Sequence, residues 1–119
     1  MKLPWGNRDT GAGRRRHERC RVHLPCKILY EERVYIGTAI DLSMGGVMVQ
    51  FPPETSTVDL PRGKLARISL ILPKGNLETR CKLIRVTSAG AAIQFHDFRR
   101  TRMEKLLYEY LETQLGDVW

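Results

Sequence analysis

Short apolar runs alternate with polar positions through most of the chain, and turn-forming residues separate them. Val22 to Tyr30 predicts a first strand, closed by the polar turn Glu31-Glu32-Arg33. Val34 to Ile40 predicts a second, with Asp41 to Gly45 as the turn that follows. Gly46 to Phe51 predicts a third, in which Val47, Val49 and Phe51 alternate with Met48 and Gln50. Pro52 and Pro53 stop it, because proline has no N–H to give to a ladder. A proline-bearing loop over residues 52–63 leads to a strand from Leu65 to Leu72, closed by Pro73-Lys74-Gly75-Asn76. Leu77 to Thr87 follows, with Leu77, Thr79, Cys81, Leu83 and Arg85 expected on one face. Ser88-Ala89-Gly90 turns the chain into a last strand, Ala91 to Phe95. Six short strands at this spacing predict an antiparallel barrel or sandwich.

The period then changes from two to 3.6. Met103, Leu106, Leu107, Tyr110 and Leu111 recur at helical spacing. Thr101 and Glu104 stand where a capping box places its two side chains, and Gly116 can supply the left-handed stop. The helix carries one apolar stripe, which is expected to cover part of the strand layer.

A length of 119 residues favours one domain, and 42% hydrophobic with 28% charged residues is ordinary for a globular fold. Residues 1–13 contain Pro4, Gly6, Gly11 and Gly13 and few apolar side chains, and read as a flexible leader; residues 14–119 read as the single domain. No apolar stretch nears the roughly 18 residues of a membrane span. The first residues have no apolar run behind them, so a secretory signal is not expected and a cytoplasmic location is. The net charge is +7, and it is concentrated. Arg14, Arg15, Arg16, Arg19 and Arg21 stand against Glu18 alone, a field that draws anions or a solvated basic arm. Cys20, Cys26 and Cys81 are too few and too scattered for a disulfide framework. His17, Cys20, His23 and Cys26 are all of metal-binding types, but they lack the paired spacing of a zinc site, and a strand through Val22 would part them. No metal is expected.

The arginine cluster and the Asp41-Leu42-Ser43-Met44-Gly45-Gly46 turn complement each other chemically. A guanidinium grips phosphate oxygens with two parallel bonds, stays charged at any working pH, and donates in pairs to the O6 and N7 acceptors of guanine. Arg15 and Arg19 are spaced so that both can reach one compact dianion, with Arg14 and Arg16 flanking. The Asp41 carboxylate can accept from the N1 and N2 donors on the guanine pairing edge, and Ser43 can give or take one further bond. Gly45 and Gly46 permit positive φ and close backbone approach. By itself, Asp41 to Gly46 also fits an ordinary hairpin turn with a local aspartate cap. With the arginines, it points to a nucleotide receptor rather than a catalyst.

Arg15-x-x-x-Arg19, a strand, then Asp41-x-Ser43-x-x-Gly46 resembles the signature of PilZ domains, bacterial receptors for cyclic di-GMP. Val22-His23-Leu24-Pro25 looks like the family's first strand and Ala91-Ala92-Ile93-Gln94-Phe95 like its closing strand; the likeness runs from about residue 14 to 115. The resemblance implies a mainly β protein, a six-stranded antiparallel split barrel with a C-terminal α-helix. It implies cyclic di-GMP as the ligand, held by Arg14, Arg15, Arg16, Arg19, Asp41, Ser43 and Gly46. It also implies an arm that closes over the ligand and changes the surface offered to a partner protein. Arg14, just before the first motif arginine, resembles members that take an intercalated ligand pair. Cys20 departs from the aliphatic residue usual after the second arginine, and the strand from Leu77 to Thr87 has no aromatic for stacking.

Two other functions share these features. A small-barrel nucleic-acid binder would use the same basic field, but only Tyr35 and Phe51 could serve as stacking aromatics. A nucleotide-independent protein-interaction module would use the helix. An enzyme is not expected: Ser43 has no base partner and no nucleophile elbow, and His17, His23 and His96 form no recognisable acid–base set.

Overall fold

The computed structural model describes residues 19–116. Six strands form in chain order: β1 (Cys20–Tyr30), β2 (Arg33–Leu42), β3 (Gly46–Gln50), β4 (Leu65–Leu72), β5 (Gly75–Val86) and β6 (Gly90–His96). They close into an antiparallel barrel in the order β1-β2-β3-β6-β5-β4, with β4 returning to β1. Closure decides between the two architectures the strand pattern left open, and it leaves no free sheet edge along the paired stretches.

Alternation explains the core. Leu24, Cys26 and Ile28 of β1 are buried, as are Ile68 and Leu70 of β4 and Leu77, Cys81 and Leu83 of β5, while their chain neighbours face outward. Strand ends extend beyond the apolar pattern because cross-strand partners are available. Cys20 pairs with Leu42 and Arg21 with Asp41, so β1 starts two residues before Val22 and Asp41 lies within β2 rather than in the turn. Likewise Asn76 pairs with Ile71 and belongs to β5.

One expectation fails for a local reason. Arg85 does not share the buried face of Leu77, Thr79, Cys81 and Leu83. The register of β5 against β6 shifts between Leu83 and Arg85, with Ile84 as the extra residue. Arg85 is thereby exposed, and Val86 packs against the core.

The helix α1 (Arg102–Gly116) packs on β5 and β1. Leu107 and Leu111 are buried, and Met103, Leu106 and Tyr110 lie against the core, so the apolar stripe is used inside the domain. The cap forms nearly as expected. Glu104 N–H donates to Thr101 Oγ1 at 3.3 Å, but Glu104 Oε1 accepts from Arg100 N–H at 2.7 Å, one residue earlier than the usual box. No helix among the described residues is long and apolar enough to cross a membrane.

Burial pushes the Cys26 and Cys81 thiols up to about 12, with Cys81 adding to the effect at Cys26. Their ordinary value is 9.0, so between pH 9 and 12 the thiols ionise only in the unfolded chain and stability falls as pH rises; below 9 they add no pH dependence. Thermal melts between pH 7 and 11 should therefore fall above pH 9, and the fall should be shallower in Cys81→Ala. Parallel pH profiles for the two proteins would show that the Cys81 thiol contributes nothing to the fall.

Candidate functional site

The antiparallel pairing of β1 with β2 brings the two chemical segments together. Because Cys20 pairs with Leu42 and Arg21 with Asp41, Arg19 enters the barrel wall beside the turn that follows Leu42. Some twenty residues of sequence separation thus become adjacency at one end of the barrel. Arg19 is half-buried, and its Nη1 is fully buried without a hydrogen-bond partner among the described residues. A desolvated guanidinium N–H with no acceptor is costly and uncommon, and it fits a site built to receive an anionic or carbonyl oxygen. Arg14, Arg15 and Arg16 lie outside the described residues.

The turn is tightly specified. Ser43 N–H donates to Gly46 C=O at 2.9 Å, and Ser43 Oγ accepts from Gly45 N–H at 3.2 Å. Phe95 N–H donates to Gly45 C=O at 3.0 Å, and Gly46 pairs with Gln94, so the turn is fastened to β6. Gly45 and Gly46 do not use positive φ; among the described glycines, that conformation occurs at Gly63 and Gly75.

Asp41 and Ser43 are brought to the same corner but are not presented alike. Asp41 is half-buried within β2, whereas Ser43 is 1% exposed. An extended register through both residues would have pointed them the same way; β2 instead ends at Leu42, and the turn draws the serine inward. The carboxylate is the group available at the surface, and the hydroxyl helps to hold the loop. Gly46 is buried at the start of β3.

Sequence reasoning overlooked a small apolar cluster outside the barrel core. Met48 and Ala92 are buried together, with Ile40 and Ile84 packed against them. Alternation places them on the outer wall, since Val47, Val49, Ala91 and Ile93 all belong to the core. The signal is present in part: Met48 is opposite in phase to Val47 and Val49. The two bulges that bring in Ile40 and Ile84 have no signature in the residue pattern.

The residues of metal-binding type near the start of β1 are presented differently where they are described. Cys20 and Cys26 are buried while His23 is exposed, and His17 lies outside the described residues. No group of three or more His, Cys, Asp or Glu suited to a metal occurs among the described residues. At the end of β6 that the turn is fastened to, just beyond Phe95, His96 and Arg80 both approach Asp97, at 3.7 and 3.1 Å, in an exposed cluster.

Comparison with solved structures finds the same fold at low sequence identity. The PilZ domain of YcgR from Escherichia coli, solved with c-di-GMP, aligns with a TM-score of 0.71 and 15% identity, over 84% of this chain and 90% of that one. MrkH of K. pneumonia in its apo state aligns with a TM-score of 0.71 and 15% identity, over 92% of this chain and 53% of that one. The inhibitor of motility MotI/DgrA of Bacillus subtilis aligns at 0.65 and 19% identity, over 82% of this chain. The chain spans only half the length of that Bacillus protein, 50%. No curated protein matches the sequence. The family model described as PilZ domain matches residues 13–112, nearly the whole of the barrel and helix, and the chain accordingly belongs to the PilZ domain family.

Proposed function

We propose that this domain is a receptor for cyclic di-GMP. The observation that carries the reading is the Nη1 of Arg19, buried and without a hydrogen-bond partner among the described residues, on the strand that pairs with Asp41 and leads to the Ser43–Gly46 turn. A phosphate or guanine oxygen supplies the missing acceptor, and a guanidinium bonds either in pairs. Asp41 takes the N1 and N2 donors of a guanine. Ser43 and Gly46 fix the turn that holds Asp41 in place. Arg14, Arg15 and Arg16 stand three to five residues before Arg19 in the sequence and, in this reading, add guanidinium groups for the phosphates. The YcgR domain that shares this fold is solved with c-di-GMP, which supports the choice of ligand.

The domain acts by binding and not by catalysis. Arm residues that become ordered around the ligand cost about 1–2 kcal/mol each, offset by charge-assisted bonds. That coupling makes the arm's arrangement depend on the ligand, and a partner protein that meets the closed arm would read it. Calorimetric titration with cyclic di-GMP, with GMP and ATP as controls, tests the reading. Saturable binding of the cyclic dinucleotide alone is expected at micromolar concentration. No heat with cyclic di-GMP, or equal heat with ATP, would refute it.

A further inference from the structure

An exposed aliphatic patch lies on the outer wall at the hairpin end of β1 and β2. Val34 and Ile36 of β2 and Leu29 of β1 alternate with the buried Tyr35 and Ile28, and are 55%, 64% and 40% exposed. Leu29 pairs directly with Val34, and Ile36 is the next outward residue of β2, so the three side chains are neighbours on one face. They stay open because β3 stops early. Its Gln50 pairs with Thr38, and among the described residues no strand lies beside residues 33–37 of β2 on that side. Proteins ordinarily blunt such an edge with charge or proline at the outward positions; here those positions are valine and isoleucine. Cations border the patch on its other side. Lys27 pairs with Ile36 and Arg67 with Leu29, and both are exposed. Among the described residues neither is in a salt bridge, whereas Arg33 at the margin is held by Asp59 at 3.0 Å. Glu31 and Glu32 lie beyond Val34, in the hairpin turn.

We propose that this wall docks a partner protein, through a partner segment that sets aliphatic side chains beside carboxylates. Val34, Ile36 and Leu29 supply the apolar contact. Lys27 and Arg67, each directly opposite one of them, select the charge: a carboxylate on the partner pairs with them, and a basic segment is turned away by like charge. A second copy of this chain fits poorly. It brings the Lys27 and Arg67 of both protomers into one interface, and each copy carries a net charge of +7. An anionic bilayer would accept the cations, but the patch has none of the aromatic anchors that suit a membrane interface. The patch lies roughly 25 Å along β1 from Arg21, at ordinary strand rise, so a partner docked there leaves the arginine corner open. The wall is thus a fixed attachment, separate from any surface that changes with the arm.

Selection of a displayed library of random peptides on the full chain, with Ile36→Lys as the counter-selection, tests this. Enriched peptides are expected to place Val, Ile or Leu next to Asp or Glu. A synthetic enriched peptide should bind the wild type saturably by fluorescence polarisation. It should bind Ile36→Lys about tenfold more weakly, and the double variant Lys27→Glu, Arg67→Glu by a similar factor. Exchanging the peptide's carboxylates for lysines should restore binding to the double variant. Lys74→Glu, exposed in the turn between β4 and β5, should leave the affinity unchanged. All these positions are exposed, so melting temperatures within a few degrees of wild type are expected and show that the losses are not unfolding. No enrichment, or equal affinity for wild type and Ile36→Lys, overturns the proposal. So does an equal loss in Lys74→Glu, since a general field would then account for it. Dimerisation in sedimentation that Ile36→Lys removes assigns the wall to a second copy, and binding to phosphatidylglycerol vesicles that Ile36→Lys removes assigns it to a membrane; either result overturns the partner reading. Cyclic di-GMP titrations of Ile36→Lys and wild type should coincide, so the receptor reading stands or falls separately.

Discussion

Arg19→Ala is expected to abolish cyclic di-GMP binding while leaving the ligand-free domain as stable as before, or slightly more stable. The two effects have one cause. Among the described residues, Nη1 of Arg19 is buried without an acceptor, so the guanidinium carries a desolvation cost that no bond there offsets. Removing it relieves that cost. In the complex, the same group makes two charge-assisted bonds, each of about 1.5–3 kcal/mol, so losing both weakens binding by about a hundredfold or more. Calorimetry measures the loss, and a melt without ligand measures the stability. Arg15→Ala should reduce affinity too, but it has no such stability signature assigned to it. Undiminished affinity in Arg19→Ala would remove the main support for the proposed site. A large drop in ligand-free stability would show instead that Arg19 serves the fold.

Gly37→Val is expected to destabilise the barrel by about 3 kcal/mol or more, the scale of a badly overpacked core position. Gly37 sits on the inner face of β2, opposite Cys26 of β1. A Cβ there would lie 2.6 Å from Gln50 O, 2.9 Å from Val49 Cγ1 and 3.0 Å from Phe51 Cδ1. Two of these neighbours are side-chain atoms that could move a little. The first is backbone at the end of β3, whose Gln50 pairs with Thr38. Moving it breaks the β2–β3 ladder at the point where β3 finishes. For a domain of this size, each kcal/mol lowers the melting temperature by about 4–8 °C, so a fall of more than 10 °C is expected. The neighbouring Ile36→Ser, 64% exposed on the outer face, should change it little. A melting temperature within a few degrees of wild type in Gly37→Val would mean that β2 and β3 separate there at small cost.

The strands and helix were legible because each buries one face. Val47, Val49 and Phe51 against Met48 and Gln50 is a period-two pattern that any sheet packed on one side imposes. Met103 to Leu111 follows the 3.6 period for the same reason. Errors fell where period-two reasoning meets an extra residue. Arg85 was expected inward because alternation was extended through Ile84, and a bulge there reverses the phase. A bulge is set by how two strands meet, so one strand's residues do not reveal it. The ends of β1 and β2 were underestimated similarly, since Arg21 and Asp41 are strand residues through their mutual pairing and not through apolar character.

The candidate site divides along the same line. Residue types carry chemistry without any fold: guanidiniums suit phosphate and guanine, a carboxylate suits guanine's donors, and small residues suit a tight turn. Those facts, with the spacing of Arg15, Arg19, Asp41, Ser43 and Gly46, were enough to name a family and a ligand class before any coordinates. They left unresolved which hydroxyl or carboxylate faces outward, whether the sheet closes, and which residues on other strands stand beside the motif. Those matters depend on hydrogen-bonded register between segments far apart in the chain. Local sequence encodes each strand's preferences; the fit of all six strands around one core selects the register, and with it the pairing of Arg21 with Asp41 that brings Arg19 to the turn after Leu42.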